Sequence, residues 1–418
     1  MTGAWSLIAS LSFLLLLAGM VSKNGVLLAI ALPYLFFALR PLWRNLPQPN
    51  WRAERELEPD HLGGKQPCQI KISLTNTGED VREVGITDAI PSGVEVEGSH
   101  RYYGKFQAGQ VETLRYMVRG VRGKYEFSGI AIWMTDLLGL KHKKGFLSCP
   151  KTLIVLPGME RLEKIKISPR RTRVFSGMIR SRESGAGVEF FGTRAYVPGD
   201  PLRHLNWKAG ARWDLLITNQ FEQERIADVG IILDARNLVE LKARGDSLFE
   251  HAVQVAASLA DYFLREGNRV GLLIYGNYLE WTFPGYGKQQ RARIMAALAG
   301  AELGEHWVFK EFENLPTRLF PPESQVVLVS PLRSEDVYPL RFLRALGYRM
   351  LIISPDPIAF EKDLVPQDSF RKLAERIARM ERNVTLAKLR RNGIQVVDWD
   401  TSTPLGVAIR QTLAGFKR

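Results

Sequence analysis

Hydrophobic and polar positions follow different rules in successive parts of this chain. Ala4–Val21 is uncharged and almost wholly apolar, and after a polar Ser22-Lys23-Asn24-Gly25 turn a second apolar run covers Gly25–Leu39, with Leu42 and Trp43 extending it past Arg40. Two such runs in succession predict a transmembrane helical hairpin over residues 1–45. From about 58 to 157 the period changes to two. Gln69–Leu74 alternates, and Val81–Thr87, Val111–Val118, Gly129–Met134 and Thr152–Leu156 are short runs bounded by Gly, Pro or Asp. That spacing predicts an antiparallel β-sandwich, with Arg122-Gly123-Lys124-Tyr125 and Asp136-Leu137-Leu138-Gly139-Leu140 as its corner turns.

Over 228–418 the runs become continuous and alternate with helical stripes. Val229–Leu233, Val270–Tyr275, Val326–Val329, Met350–Ile353 and Ile394–Val397 read as strands, and Tyr278–Phe283 as a short antiparallel partner. Leu248, Ala252, Val255, Ala256, Leu259 and Phe263 keep one face of a helix. Arg291–Ala299 and Gly406–Phe416 are helical, and Leu373, Ile377, Met380, Val384 and Ala387 are the apolar positions of another helix closed by Asn392-Gly393. The alternation predicts a doubly wound α/β domain with a mostly parallel sheet.

Residues 158–227 join these parts. Glu160–Arg182 is a basic linker, read as a flexible arm for lipid headgroups or an acidic partner, or as a plain solvated connection. Gly187–Arg225 is denser: Arg194, Arg203, Lys208, Arg212 and Arg225 stand against Glu189, Asp200, Asp214, Glu222 and Glu224. Aromatic residues such as Tyr196, Trp207 and Trp213 are threaded between them, around a Pro198-Gly199-Asp200 turn. The balance of charges predicts a structural clamp in which they satisfy one another, with direct partner contact as the alternative.

Composition narrows the function classes. With 45% hydrophobic and 24% charged residues, the 418-residue chain folds rather than remaining disordered. Its net charge of +13 suits nucleic acid, an anionic membrane surface or an acidic protein. Acidic residues interleaved with the aromatics of 190–221 disfavour nucleic acid, because they repel phosphates. Two cysteines, Cys68 and Cys149, make no disulfide framework. Arg40, Arg44, Arg52 and Arg55 beyond the second apolar run, against Lys23 in the turn, place the soluble domains on the cytoplasmic side of the cell membrane. Ala4–Val21 and Gly25–Trp43 would then contact the bilayer.

Candidate chemistry belongs at the carboxyl ends of the parallel strands. Asp234 ends the first. A magnesium site would want hydroxyls two and four residues on, where Arg236 and Leu238 stand, and a second carboxylate near Ser330. No metal is therefore expected, and Asp234 pairs with Arg236 or caps a helix. Gly285-Tyr286-Gly287-Lys288 lacks the rest of a phosphate-binding loop, no GxSxG or HExxH occurs, and the six histidines are scattered. Neither a cofactor nor an enzymatic activity is expected.

Gly187-Val188-Glu189-Phe190, Gly192-Thr193-Arg194-Ala195-Tyr196-Val197-Pro198-Gly199-Asp200, Arg203-His204-Leu205-Asn206-Trp207-Lys208, Ala211-Arg212 and Phe221-Glu222-Gln223-Glu224-Arg225 form a specific combination. It resembles the domain of unknown function 58 family, whose members commonly accompany MoxR-type AAA+ ATPases. The resemblance implies a membrane-anchored protein with a von Willebrand factor A-like domain, acting with the ATPase as an adaptor or assembly factor through protein–protein contact. Its motif residues here are Arg194, Tyr196, Pro198, Gly199, Asp200, Arg203, Trp207, Lys208 and Arg212. Ala195 and Asn206 stand where the family usually has Glu and Asp, and the Asp-x-Ser-x-Ser metal motif survives only as Asp234. Two other readings are an outward-facing cell-envelope adhesion or assembly protein, and a hydrolase using Asp200, Asp214 or Asp234.

Overall fold

The computed structural model describes residues 3–43, 48–63, 66–135, 142–163, 165, 172–243, 245–276, 279–306, 311–316, 319–321, 324–362 and 369–415. The corner turn expected at 136–140 lies outside them. The chain divides into two compact units, Met1–Leu156 and Pro157–Arg418.

The first unit opens with helices α1 (Gly3–Val21) and α2 (Gly25–Trp43). They run antiparallel: the Trp5 indole donates to the Ala38 carbonyl at 3.0 Å, and Gly19 lies close under Leu28. Each helix has 19 residues. At 1.5 Å per residue that is about 28 Å, at the low end of what a hydrocarbon core of roughly 30 Å asks of a helix. The second also carries Arg40 inside its last turn. Among the described residues no helix is long and apolar enough to cross a membrane. The expected transmembrane hairpin and two-span membrane placement are corrected accordingly. Arg55, counted among the orienting charges, is not a surface charge either, because its side chain is buried against Asp88.

Strands β1 (Trp51–Glu58), β2 (His61–Gly63), β3 (Cys68–Asn76), β4 (Val81–Asp88), β5 (Val94–Glu97), β6 (Arg101–Phe106), β7 (Val111–Gly120), β8 (Gly123–Thr135) and β9 (His142–Leu156) form two sheets. Their orders are β1-β3-β7-β5 and β2-β9-β8-β4-β6. The second is mixed rather than antiparallel throughout, since β2 pairs parallel to β9. Alternation sets the core face: Cys68, Ile70, Ile72 and Leu74 point inward from β3. In β8 the inward set changes parity, from Tyr125 and Phe127 to Ile130, Ile132 and Met134. The change coincides with a register shift between Phe127 and Gly129, where β9 carries the extra residue: three residue steps of β9, Lys151 to Ser148, span two of β8.

In the second unit, β10 (Thr172–Ala195) and β11 (Ile217–Asp234) form a long antiparallel hairpin joined through α3 (Trp207–Trp213). Backbone at Thr172–Val174 and Ile179–Ser181, within the expected basic linker, is thus paired strand. The linker's start is held too: Ile165 exchanges hydrogen bonds with the Tyr262 hydroxyl, and the Glu160 carboxylate accepts from Leu405 and Gly406 amides at 2.8 and 3.0 Å.

β12 (Lys242–Ala243) and β13 (Asp246–Ser247) make a small ribbon before α4 (Leu248–Arg265), whose N-cap Ser247 accepts from the Glu250 amide. Then follow β14 (Arg269–Tyr275), β15 (Leu279–Gly285), α5 (Gly287–Ala299), β16 (Gln325–Val329), α6 (Val337–Ala345), β17 (Arg349–Pro355), α7 (Pro357–Glu361), α8 (Ser369–Arg391), β18 (Gln395–Trp399) and α9 (Leu405–Gly415). The sheet order is β15-β14-β11-β16-β17-β18. It is mixed, with β15 and β10 antiparallel to their neighbours and the other pairs parallel. β11 therefore does two jobs: Asp228–Asp234 is the central strand of the sheet, and Ile217–Ala227 is one arm of the hairpin.

Candidate functional site

Two places in the second unit gather the singled-out residues. The first is the carboxyl end of β11, where the strand order reverses between β14 and β16 and ligands of such sheets bind. Asp234 and Arg236 are both buried there, as is Asp336, which the sequence reading passed over. The Arg236 guanidinium donates to Asp234 through Nε and Nη2, each at 2.8 Å, and to Asp336 through Nη1 and Nη2, each at 2.9 Å. Ser330 Oγ donates to the second Asp234 oxygen at 2.6 Å, and the Arg333 amide to Asp336 at 2.9 Å. The plane of charge lies 3.9 Å from the centre of the Phe312 ring. Burial works against the Arg236 charge, but its bonds to Asp234 and then Asp336 outweigh that and raise its pKa. Burial pushes the Asp336 carboxyl up, with Arg236 pulling it back.

This geometry decides whether a divalent cation fits. Each oxygen of both carboxylates already accepts from Arg236, and the guanidinium sits between them. A cation there would meet a fixed positive charge, so the residues do not fit a metal. Leu238 is exposed and takes no part. Asp336 sits in Ser334-Glu335-Asp336, just before α6, and a polar run at a helix start after a buried strand is the signal that would have pointed to it.

A second arginine locks the neighbouring strand ends. Arg382 of α8 donates to the Pro331 carbonyl, to Ser354 and to Asp398, at 2.6–3.2 Å. The carboxyl edge of the sheet is thus filled by buried guanidinium groups and their partners.

The second place is the tip of the β10–β11 hairpin. Val197-Pro198-Gly199-Asp200 closes as a turn, the Asp200 amide donating to the Val197 carbonyl at 3.0 Å, with Gly199 at φ 110° where a side chain would be strained. Arg194 grips the Asp200 carboxylate with two bonds of 2.7 Å, and the Val197 amide adds a third at 3.1 Å. Arg194 and then Val197 hold this carboxyl below the usual range. Asn206 caps α3 by accepting from the Ala209 amide at 3.0 Å, as an aspartate at that position would, and Asp214 ends it in the left-handed region.

The other motif side chains do not converge on this pair. Arg203 reaches its neighbour His204, and Arg203, Lys208 and Arg212 are exposed. Tyr196 is half-buried. Trp207 and Trp213 are 70% and 69% exposed, with Leu202, Leu215 and Leu216 also outward. Between α3 and β11 a shallow groove of about 360 Å³ is lined by Leu205, Trp207, Ala211, Leu215 and Ile217, among others. Density of charge and aromatics in the sequence marked the tip, but nothing in it distinguished mutual pairing from exposure.

The sequence carries these two places in a recognisable frame. Residues 192–354 match the family described as protein of unknown function DUF58. The match runs from the hairpin tip through β17. The chain is also similar to the uncharacterized protein YeaD of Bacillus subtilis, at 25% identity over 257 residues. That similarity takes in 58% of this chain and spans 62% of the length of the relative. Among solved structures, the CARDB domain of the PF1109 protein from Pyrococcus furiosus aligns at 13% identity over 27% of this chain and 97% of its own, with a TM-score of 0.19. Native alpha-2-macroglobulin from Escherichia coli aligns at 16% identity over 27% of this chain and 25% of its own, with a TM-score of 0.20.

Proposed function

We propose that this protein is a non-enzymatic adaptor that works through protein–protein contact, with the β10–α3–β11 tip as its docking element. One observation carries the reading: Trp207 and Trp213 stand about 70% exposed at a single tip, beside Lys208 and Arg212. Tryptophan and arginine are the residues that most often anchor interfaces. Isolated on a free surface they have no folding role that requires them. The cations favour a partner with an acidic face. The motif resemblance makes a MoxR-type AAA+ ATPase the candidate partner. In the same reading the α/β unit is a von Willebrand factor A-like domain whose cation position has been taken over by Arg236. Recognition would then run through the tip rather than through a bound metal.

The test is binding of the full-length protein to a purified MoxR-type ATPase, with Trp207→Ala and Trp213→Ala as variants. A loss of about 2 kcal/mol each, roughly 30-fold in affinity, with unchanged melting temperature is the expected result. Equal binding by wild type and both variants would refute the tip as the docking element, and no binding by wild type would remove the ATPase as partner.

A further inference from the structure

Helix α8 turns the stripe recognised in the sequence away from its own domain. Arg382, Leu386 and Leu389 are buried beneath it, the two leucines in the core with the sheet residues Leu328, Ile352 and Val396, and Arg382 bonded to three strand ends. On the opposite side Phe370, Leu373, Ile377, Met380 and Val384 are all exposed, Phe370 at 84% and Met380 at 62%. With Ala387 they follow one another at intervals of three and four residues without a break. A strict 3-4 repeat is the seam of a coiled coil, narrower than the stripe a helix needs to pack on a sheet. Phe370, Ile377 and Val384 take the a positions, and Leu373, Met380 and Ala387 the d positions.

We propose that this seam pairs in parallel with the same helix of a second copy of the chain. The choice of a second copy rests on two features of the seam. Ile377 and Val384 are β-branched residues at a, with Leu373 at d, which is the arrangement that favours two parallel strands. Flanking charge agrees. In parallel register the g position of one helix faces the following e position of its partner, so Arg376 meets Glu381 twice across the dyad, and the next pair is Asn383 with Lys388. Arg376, Glu381, Asn383 and Lys388 are all exposed. No like charges oppose. An antiparallel pairing about the same centre would set Arg376 against Asn383 and Ala374 against Glu381, and would lose both ion pairs. The anchored inner face keeps the helix in place, so the seam is presented without refolding. This dimer is independent of the tip and of any ATPase.

The exposed apolar side chains of α1 and α2 can also associate, so the readout must be specific to α8. Full-length Met380→Cys is oxidised with copper phenanthroline, the chain with only its native Cys68 and Cys149 serving as the blank. A disulfide-linked dimer through residue 380 is expected. In sedimentation, Arg376→Glu is expected to weaken dimerisation about tenfold by opposing two carboxylates, and Arg376→Glu with Glu381→Arg to restore it to within about threefold. A monomer at concentrations up to about 100 µM, or a dimer indifferent to Ile377→Asp and Arg376→Glu, overturns the proposal. So does cross-linking seen only when Ile377→Cys and Met380→Cys chains are mixed, since that is antiparallel pairing. All these side chains are exposed, so the variants keep the monomer fold.

Discussion

Arg236 shows how one side chain can fill a buried strand end. Its guanidinium is 2% exposed and bonded to two carboxylates that are equally buried. Removing it strands both. Arg236→Ala is expected to destabilise the second unit by about 3–5 kcal/mol, read by urea denaturation, because an unpaired buried charge costs more than the pair contributes. Magnesium at millimolar concentration is expected to leave the wild-type melting temperature unchanged. A rise of several degrees would mean that a cation does displace the guanidinium. At the tip, Asp200 gives a pH prediction of opposite character. Its pKa is depressed by Arg194, so the pairing helps the fold above the ordinary carboxylate value of about 3.9 and is lost as pH falls through the lower folded value. Carbon-detected NMR of the Asp200 carboxyl should show it titrating below other aspartates, and Arg194→Gln should return it to them.

At the scale of the element, β11 ties the two places together, since the strand that ends at Asp234 begins at the tip. Its packing leaves no room at Gly230, where an added Cβ would lie 2.2 Å from the ring of buried Phe320. Gly230→Ala is expected to cost about 1–3 kcal/mol in thermal unfolding, from overpacking alone. Helix α3 carries the opposite expectation. Trp207 and Trp213 are so exposed that alanine at either should change stability by no more than about 0.5 kcal/mol, which is what makes a binding loss there interpretable. Helix α8 was legible from its sequence as a helix, with its period and its Asn392-Gly393 end, yet its apolar stripe is the outer face. The inner face is made by Arg382, Leu386 and Leu389, and an arginine at a core-facing position hides that face from any hydrophobicity pattern.

For the whole molecule, the two units rest on separate cores, and each contains a buried ion pair. In the first, Arg55 bonds Asp88, and Asp88 also accepts from the Tyr116 hydroxyl, while Arg55 donates to the Phe127 and Cys149 carbonyls at 3.1 and 2.6 Å. Cys68 is fully buried in the same core, and burial raises its thiol pKa. Arg55→Ala should therefore accelerate labelling of Cys68 by a thiol reagent at least tenfold, as opening of this unit becomes easier. Unchanged labelling would mean that Arg55 is dispensable. The sequence alone determined most strands and helices, because alternation, continuous runs and 3.6-residue stripes are local consequences of which residues leave water. It also determined that Asp234 lacks metal ligands at its neighbours. Tertiary structure decided the rest. Asp336 lies a hundred residues from Arg236 and meets it only once the strands are ordered. The inward face of β8 changes parity at a one-residue shift that no pattern announces. Apolar runs at the N-terminus look like spans, yet among the described residues no helix is long and apolar enough to cross a membrane. Which stripe faces the core, and which charged residues pair, are set by long-range packing, and a sequence period carries only the direction of a side chain along its own element.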